Sequence, residues 1–305
     1  MFLTRQHKAY VFALSAVLLW STVATAFKIS LRYLDVFQLL LVASVTATLC
    51  LSLVVLVTGR MKFLANLDKR DYLRLACLGI MNPFCYYLVL FRAYDLLPAQ
   101  VAQALNYTWA ITLMLLSVPI LKHRITRFDY GATVICYSGV MVICFSGGQF
   151  PAGELSTAGI FLALGSTVIW AFYWLLKTKD HIDPVLGLFV SFLFSIPFIA
   201  AACWLQSDVS SLGTAGILAG IYVGLFEMGF TYILWLAALR LSEATAKVST
   251  LIFLSPFISL IFISRILGEA IAVATIMGLV LIVGGLLVQH FSPQINIWGQ
   301  SKNTE

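Results

Sequence analysis

The chain has 305 residues, of which 61% are hydrophobic and only 10% charged, where a soluble domain carries about a quarter charged residues. A soluble core of this size has no use for so much apolar side chain, so lipid is the expected solvent around most of the molecule. The net charge of +6 falls in short segments between apolar runs, which makes it a signal of topology and argues against a nucleic-acid partner.

A spanning helix needs roughly 20 mostly apolar residues. Ten runs qualify: 9–28, 37–57, 72–92, 97–120, 128–146, 157–176, 185–205, 214–238, 242–263 and 270–290. They must be helices, because lipid offers no partner for free backbone groups, and the short alternating segments of a β-barrel are missing. Arg5 and Lys8 precede the first run, and Ala24-Thr25-Ala26 is a weak likeness of a cleavage site. The run itself is too long for a signal-peptide core, so it is expected to stay as helix 1. Turn residues fill the connections, as in Thr58-Gly59, Gly147-Gly148 with Pro151, and Asp183-Pro184. The polar tail 291–305 is expected to be mobile and cytoplasmic.

Fifteen of the nineteen Lys and Arg residues fall on one side if the N-terminus is cytoplasmic, leaving Lys28, Arg32, Arg92 and Arg265 on the other. The positive-inside rule then places both termini in the cytoplasm, and adding or removing one span would scramble the bias. A bacterial inner membrane is the expected location.

The two halves, 9–146 and 157–290, resemble each other. Ala13, Leu14 and Trp20 match Ala163, Leu164 and Trp170, and Leu34-Asp35 matches Ile182-Asp183. A shift of 145 then pairs Gly79 with Gly224, Tyr87 with Tyr232, Ala99 with Ala244, Gly139 with Gly284, and Asn82 with Glu227. Five is odd, so the second half must enter the membrane the other way up. The expected fold class is therefore an all-α polytopic membrane protein of ten helices, built as two inverted five-helix repeats, a recurring plan of secondary transporters.

Cys50, Cys77, Cys85, Cys136, Cys144 and Cys203 lie in apolar runs without a CxxC pair, and read as small buried hydrophobes. His7, His123, His181 and His290 show no ligand spacing, so neither a metal nor another cofactor is expected. No P-loop, HExxH or GxSxG motif occurs, which speaks against ATP drive and against an enzyme.

At this point the residues resemble the EamA-type, ten-helix members of the drug/metabolite transporter superfamily across nearly the whole chain. Leu18-Leu19-Trp20-Ser21-Thr22, Asn106-Tyr107-Thr108-Trp109, Leu254-Ser255-Pro256-Phe257 and Leu267-Gly268-Glu269 carry the resemblance. The first half departs from it, reading His123-Arg124 where the second reads Gly268-Glu269, and Leu41-Val42-Ala43-Ser44 where an early arginine is frequent. The resemblance implies export of small metabolites such as amino acids or related solutes.

Away from the ends of the runs, two full charges remain, Glu227 and Lys247, and an ionisable group in lipid normally faces a partner or a wet cavity. Glu227 is the candidate proton-coupling group, with a protonated, purely structural carboxyl as the alternative. Lys247 could capture a substrate carboxylate, or snorkel and pair with Glu243. Gln100, Gln103, Asn106 and Tyr107 share one broad face of helix 4, and Ser166, Trp170, Tyr173 and Lys177 stripe helix 6. Trp20 and Trp170, far from the usual interfacial belts, suggest aromatic walls; Trp109 and Trp235 are weaker candidates, and Trp204 reads as an interface anchor. The candidate substrate-binding set is Trp20, Asn82, Tyr86, Gln103, Asn106, Tyr107, Trp170, Tyr173 and Lys247. Helices 1, 3, 4, 6, 8 and 9 are the expected walls. Gly216, Gly220 and Gly224 form a small-residue face that allows close helix contact, within the chain or in a homodimer. The expected activity is alternating-access transport of a small organic solute. An uncoupled facilitator of the same architecture is the runner-up, ahead of a membrane scaffold or an intramembrane enzyme.

Overall fold

A computed structural model describes residues 4–122, 126–145, 155–178, 180–243 and 248–291. Ten long helices follow in chain order: α1 (Arg5–Ser30), α2 (Val36–Val57), α3 (Lys69–Leu96), α4 (Ala99–Leu121), α5 (Arg127–Cys144), α6 (Thr157–Lys177), α7 (Pro184–Gln206), α8 (Thr214–Leu241), α9 (Thr250–Leu267) and α10 (Val273–His290). No strand occurs among the described residues. Nine of these helices are long and apolar enough to cross a membrane. The tenth, α5, opens on a polar turn containing Arg127 and Asp129, which dilutes its hydropathy. Large apolar side chains such as Leu53, Phe161 and Met277 point outward, as expected where lipid replaces water.

The helices start where the sequence supplies caps. Asp35 accepts from the backbone N–H groups of Phe37 and Gln38, while the Gln38 side chain accepts in return from the Asp35 N–H. Asp68 with Asp71, and Thr126 with Asp129, close equivalent boxes on α3 and α5. Asp183 accepts from Val185 and Leu186 at the start of α7, with Pro184 in the first turn. Asp35 and Asp183, matched in the repeat, thus do the same job.

That equivalence extends to packing. α2 lies against α7, and α5 against α10. The start of α2 meets the end of α7, where Ser207 donates to Asp35 at 2.8 Å and Gln38 donates to the Asp208 carbonyl at 2.8 Å. The start of α7 meets the chain just past α2, where Arg60 binds Asp183 at 2.9 Å. The two helices are therefore antiparallel. α1 packs on α8 and α9 of the second half, and α6 packs on α3 and α4 of the first. Each half's leading helix is docked on the other half.

Glycines mark the closest crossings. A Cβ on Gly79 would stand 2.1 Å from the Ser191 carbonyl oxygen, and one on Gly224 would stand 2.4 Å from that of Ala43. Gly79 pairs with Gly224 at a shift of 145, and Ala43 pairs with Ser191 at the Asp35–Asp183 shift of 148, so one contact is made twice with the halves exchanged. Between α5 and α10, Gly139 abuts Gly278 and Gly285 abuts Ala132, whereas Gly284 faces open space; the repeat equivalent of Gly139 in this crossing is therefore Gly285, one residue beyond the sequence pairing. Gly216 and Gly220 press on Leu34 and Val42, so this small-residue face is covered within the chain.

Candidate functional site

Two helices expected to run straight are interrupted at equivalent points. α3 widens to π-helical geometry over Ile80–Cys85, with Asn82 extended (φ −145°, ψ 115°) ahead of Pro83, which has no N–H to continue the ladder. α8 widens over Gly224–Gly229, where Gly229 leaves helical geometry (φ −113°, ψ −90°). Thr231 satisfies one displaced carbonyl there, donating to Phe226 at 2.6 Å. α4 also breaks, between Ala99–Asn106 and Trp109–Leu121, and α9 carries a 3₁₀ stretch over Thr250–Leu254. Such interruptions mid-membrane are tolerated where the backbone lines a cavity or is buried in protein.

They surround one cavity of about 470 Å³. Trp20, Asn82, Tyr86, Gln103, Asn106, Tyr107, Trp170, Tyr173 and Glu227 all line it. Lys247 lies outside the described residues. Tyr87 donates to the Glu227 carboxylate at 3.1 Å, and the Trp20 indole reaches the Glu227 carbonyl at 3.5 Å. Asn106 donates to Ser166 at 3.0 Å and approaches the Tyr86 hydroxyl at 3.5 Å, joining α4 to α6 and α3. The buried amide oxygens of Asn82 and Gln103 have no hydrogen-bond partner among the described residues.

The walls are aromatic. Tyr86 and Trp170 rings lie 4.6 Å apart, Trp170 and Tyr173 stack at 5.7 Å, and Trp20 meets Trp235 at 5.6 Å. Trp109 stands edge-on to Trp170 at 6.4 Å. Trp109 and Trp235 thus line the cavity as fully as the favoured pair: the break in α4 turns Trp109 inward, and the docking of α1 on α8 brings Trp235 to Trp20. Sequence spacing missed Trp174 and Asp180, together with contributions from α7 and α10 such as Leu188 and Gln289, and left Lys177 out of the binding set although it lines the cavity. The stripe Trp170, Tyr173, Lys177 at intervals of three and four was the available signal. Trp204 is 77% exposed on the outer surface.

The cavity reaches one end of the bundle at Lys177, Asp180, Gln289 and His290. The other end is tied shut. Lys28 donates to the carbonyls of Tyr94 and Leu97 at 2.8 and 3.0 Å. The Glu269 carboxylate caps α4 through the Ala99 N–H at 3.0 Å. The Gln100 side chain donates to the Ala270 carbonyl and accepts from the Ala272 N–H. Asp183 sits outside the spans near the open end. Burial alone would raise its pKa, but the Leu186 N–H, Arg60, the Val185 N–H and Arg240 outweigh that and hold the carboxyl below the ordinary aspartate range.

Crossed, exchanged halves around a polar and aromatic central cavity define a membrane-transporter architecture. The chain belongs to the EamA-like transporter family, whose model matches twice, over residues 7–145 and 157–289. It is 26% identical over 297 residues to an uncharacterized transporter of Clostridium kluyveri, covering 93% of this chain and 94% of that protein. It is 25% identical over 288 residues to another from Archaeoglobus fulgidus (92% and 98% covered), and 23% identical over 255 residues to the uncharacterized transporter YxxF of Bacillus subtilis (82% and 79%). One solved crystal structure superposes with a TM-score of 0.66 at 19% identity, covering 92% of this chain and 96% of its own, which is a likeness of fold.

Proposed function

We propose that this transporter is a secondary active exporter of small organic solutes, amino acids or related compounds, working by alternating access in a bacterial inner membrane. α5 is assigned as the tenth span, which restores cytoplasmic positions for both termini and agrees with the basic-residue bias. The open end of the cavity, at Lys177 and His290, then faces the cytoplasm, and the end held by Lys28, Glu269 and Gln100 faces outward. The inward-open form loads solute; breaking the outer ties while the inner ends close would release it.

One observation carries the reading. Glu227, an ionisable side chain at the interruption of α8, lines a solute-sized cavity opposite its repeat mate Asn82 at the interruption of α3. A carboxyl in that position can hold a proton in one state of the cycle and release it in the other, and Asn82 cannot. Aromatic walls suit a solute with an apolar body, and the unpartnered amide oxygens of Asn82 and Gln103 suit its hydrogen-bond donors.

The test is a metabolite panel in proteoliposomes with a pH gradient imposed and then collapsed. Saturable, gradient-dependent flux is expected, and it should disappear in Glu227→Gln. Undiminished flux across pH in that variant, or flux that never saturates, would sink the coupled reading in favour of an uncoupled facilitator.

A further inference from the structure

Where the cavity meets the cytoplasmic end, it holds a charge arrangement that the solute reading above does not use. Lys177 closes α6 with a side chain only 8% exposed, and the Asp180 side chain is 3% exposed. Both line the cavity. Lys177 Nζ and Asp180 Oδ2 are 3.9 Å apart, and neither atom has a hydrogen bond among the described residues. A charge-assisted bond closes to about 2.7–2.9 Å, so this pair is held open. Leaving three ammonium donors unused in a buried place is costly.

The neighbours explain why Asp180 does not close the gap. Its other oxygen, Oδ1, accepts from the Ile182 N–H at 3.2 Å and faces Arg74 at 3.8 Å. Arg74 is itself fixed by donating to the Leu176 carbonyl at 2.9 Å. Two cations therefore share one carboxylate, and the cluster keeps a net positive charge. Gly187 of α7 lets the pair pack against its backbone: a Cβ there would stand only 3.3 Å from Lys177 Nζ and 3.7 Å from Asp180 Oδ2, so the open side of the ammonium is the cavity that both side chains line.

We propose that Lys177, held beside Asp180, forms an anion subsite at the cavity mouth that takes the carboxylate of the transported solute. The proposal rests on the exporter reading and narrows it to carboxylate-bearing solutes. A carboxylate oxygen reaching Lys177 from the cavity would complete the ammonium and relieve the excess of positive charge. Tyr173, one helical turn (about 6 Å) further into the cavity along α6, and Trp170 beyond it would receive an apolar body attached to that carboxylate.

Counterflow in proteoliposomes tests this with three labelled probes: L-phenylalanine, 3-phenylpropionate and phenethylamine, which keep one ring and differ in the carboxylate and the amine. The two carboxylates should saturate, and Lys177→Gln should raise their KM about ten- to a hundredfold while Lys177→Arg retains much of the uptake. Any phenethylamine flux should be unchanged in both variants. If Lys177→Gln does not yield folded protein, Gly187→Ala, which keeps the lysine and pushes its ammonium out of place, should give the same selective loss. Carboxylate uptake undiminished in Lys177→Gln or Gly187→Ala, equal loss for phenethylamine, or competition by inorganic phosphate as strong as by 3-phenylpropionate, overturns the subsite. Absence of saturable uptake for all three probes, in protein that folds, overturns the exporter reading and the subsite with it.

Discussion

Replacing Gly79 by alanine should separate two helices that now touch backbone to backbone. The new Cβ would lie 2.1 Å from the Ser191 carbonyl oxygen, where ordinary contact begins at 3.4 Å, so α3 and α7 must part by about 1.3 Å at that crossing. Gly224→Ala demands about 1.0 Å between α8 and α2. The obstacle in both cases is main chain, which cannot swing aside as a long side chain can. Overpacking of this kind costs about 1–3 kcal/mol, sometimes more, and a gap of 0.5–1 Å in the surrounding contacts already forfeits roughly a quarter to half of their dispersion energy. The upper part of that range is expected. Gly165 and Gly284 meet nothing within 4 Å, and alanine there should be neutral or favourable by up to about 1 kcal/mol through helix propensity. Thermal unfolding in detergent, followed by size exclusion, compares the four variants directly. Gly79→Ala matching Gly165→Ala in stability would refute the account of the crossing.

Asp183→Ala removes an α7 cap and the partner of Arg60 and Arg240, and should cost about 1 kcal/mol or somewhat more at neutral pH. Because the folded carboxyl titrates below the ordinary range, its contribution is complete above the unfolded value of about 3.9 and fades as pH falls through the folded value; melting curves of wild type and variant should converge under those acid conditions. Glu269→Gln together with Gln100→Leu should loosen the outer ties. In a background lacking the six native cysteines, a cysteine at Leu90, which lines the cavity, should then react faster with an impermeant maleimide added outside. Tyr87→Phe deletes the hydroxyl donated to Glu227 and should slow gradient-driven flux several-fold without lowering the yield of folded protein; unchanged flux would remove Tyr87 from the coupling group.

The helices were legible because lipid leaves the chain so little choice: nine of the ten expected runs form helices long and apolar enough to cross a membrane, bounded by caps such as Asp35 and Asp183, while the polar first turn of α5 keeps that run short of the same standard. The pairing of Asn82 with Glu227 was legible through the Gly79–Gly224 register, and both line the same cavity. The interruptions were not read, since an apolar run looks the same whether its ladder is α or π; Pro83 was the visible trace in α3, and α8 has no proline there. The ends of α9 and α10 also moved. The 242–263 run extends to Leu267, and α10 starts at Val273 because Ala270 and Ala272 give their backbone to Gln100. Trp235 was underrated because its partner Trp20 comes from another helix, and periodicity within one helix carries no information about which neighbour it will meet.

The docking of α1 on α8 and α9 has a consequence for how the protein is made. Thr22 of α1 bonds Tyr222 of α8 at 2.7 Å, across 200 residues of sequence. At about 5–20 residues per second, α1 waits roughly 10–40 seconds for that partner to leave the ribosome. In the interval α1 can reach α3 through Lys28 and Phe27, but the surface it will turn to α8 and α9 is uncovered. Ser21 donates to the Val17 carbonyl of its own helix at 2.6 Å, and Thr22 to that of Leu19 at 2.7 Å. These two hydroxyls therefore have a local partner before α8 arrives, and the first helix can be laid down long before the second-half neighbours that complete its surroundings.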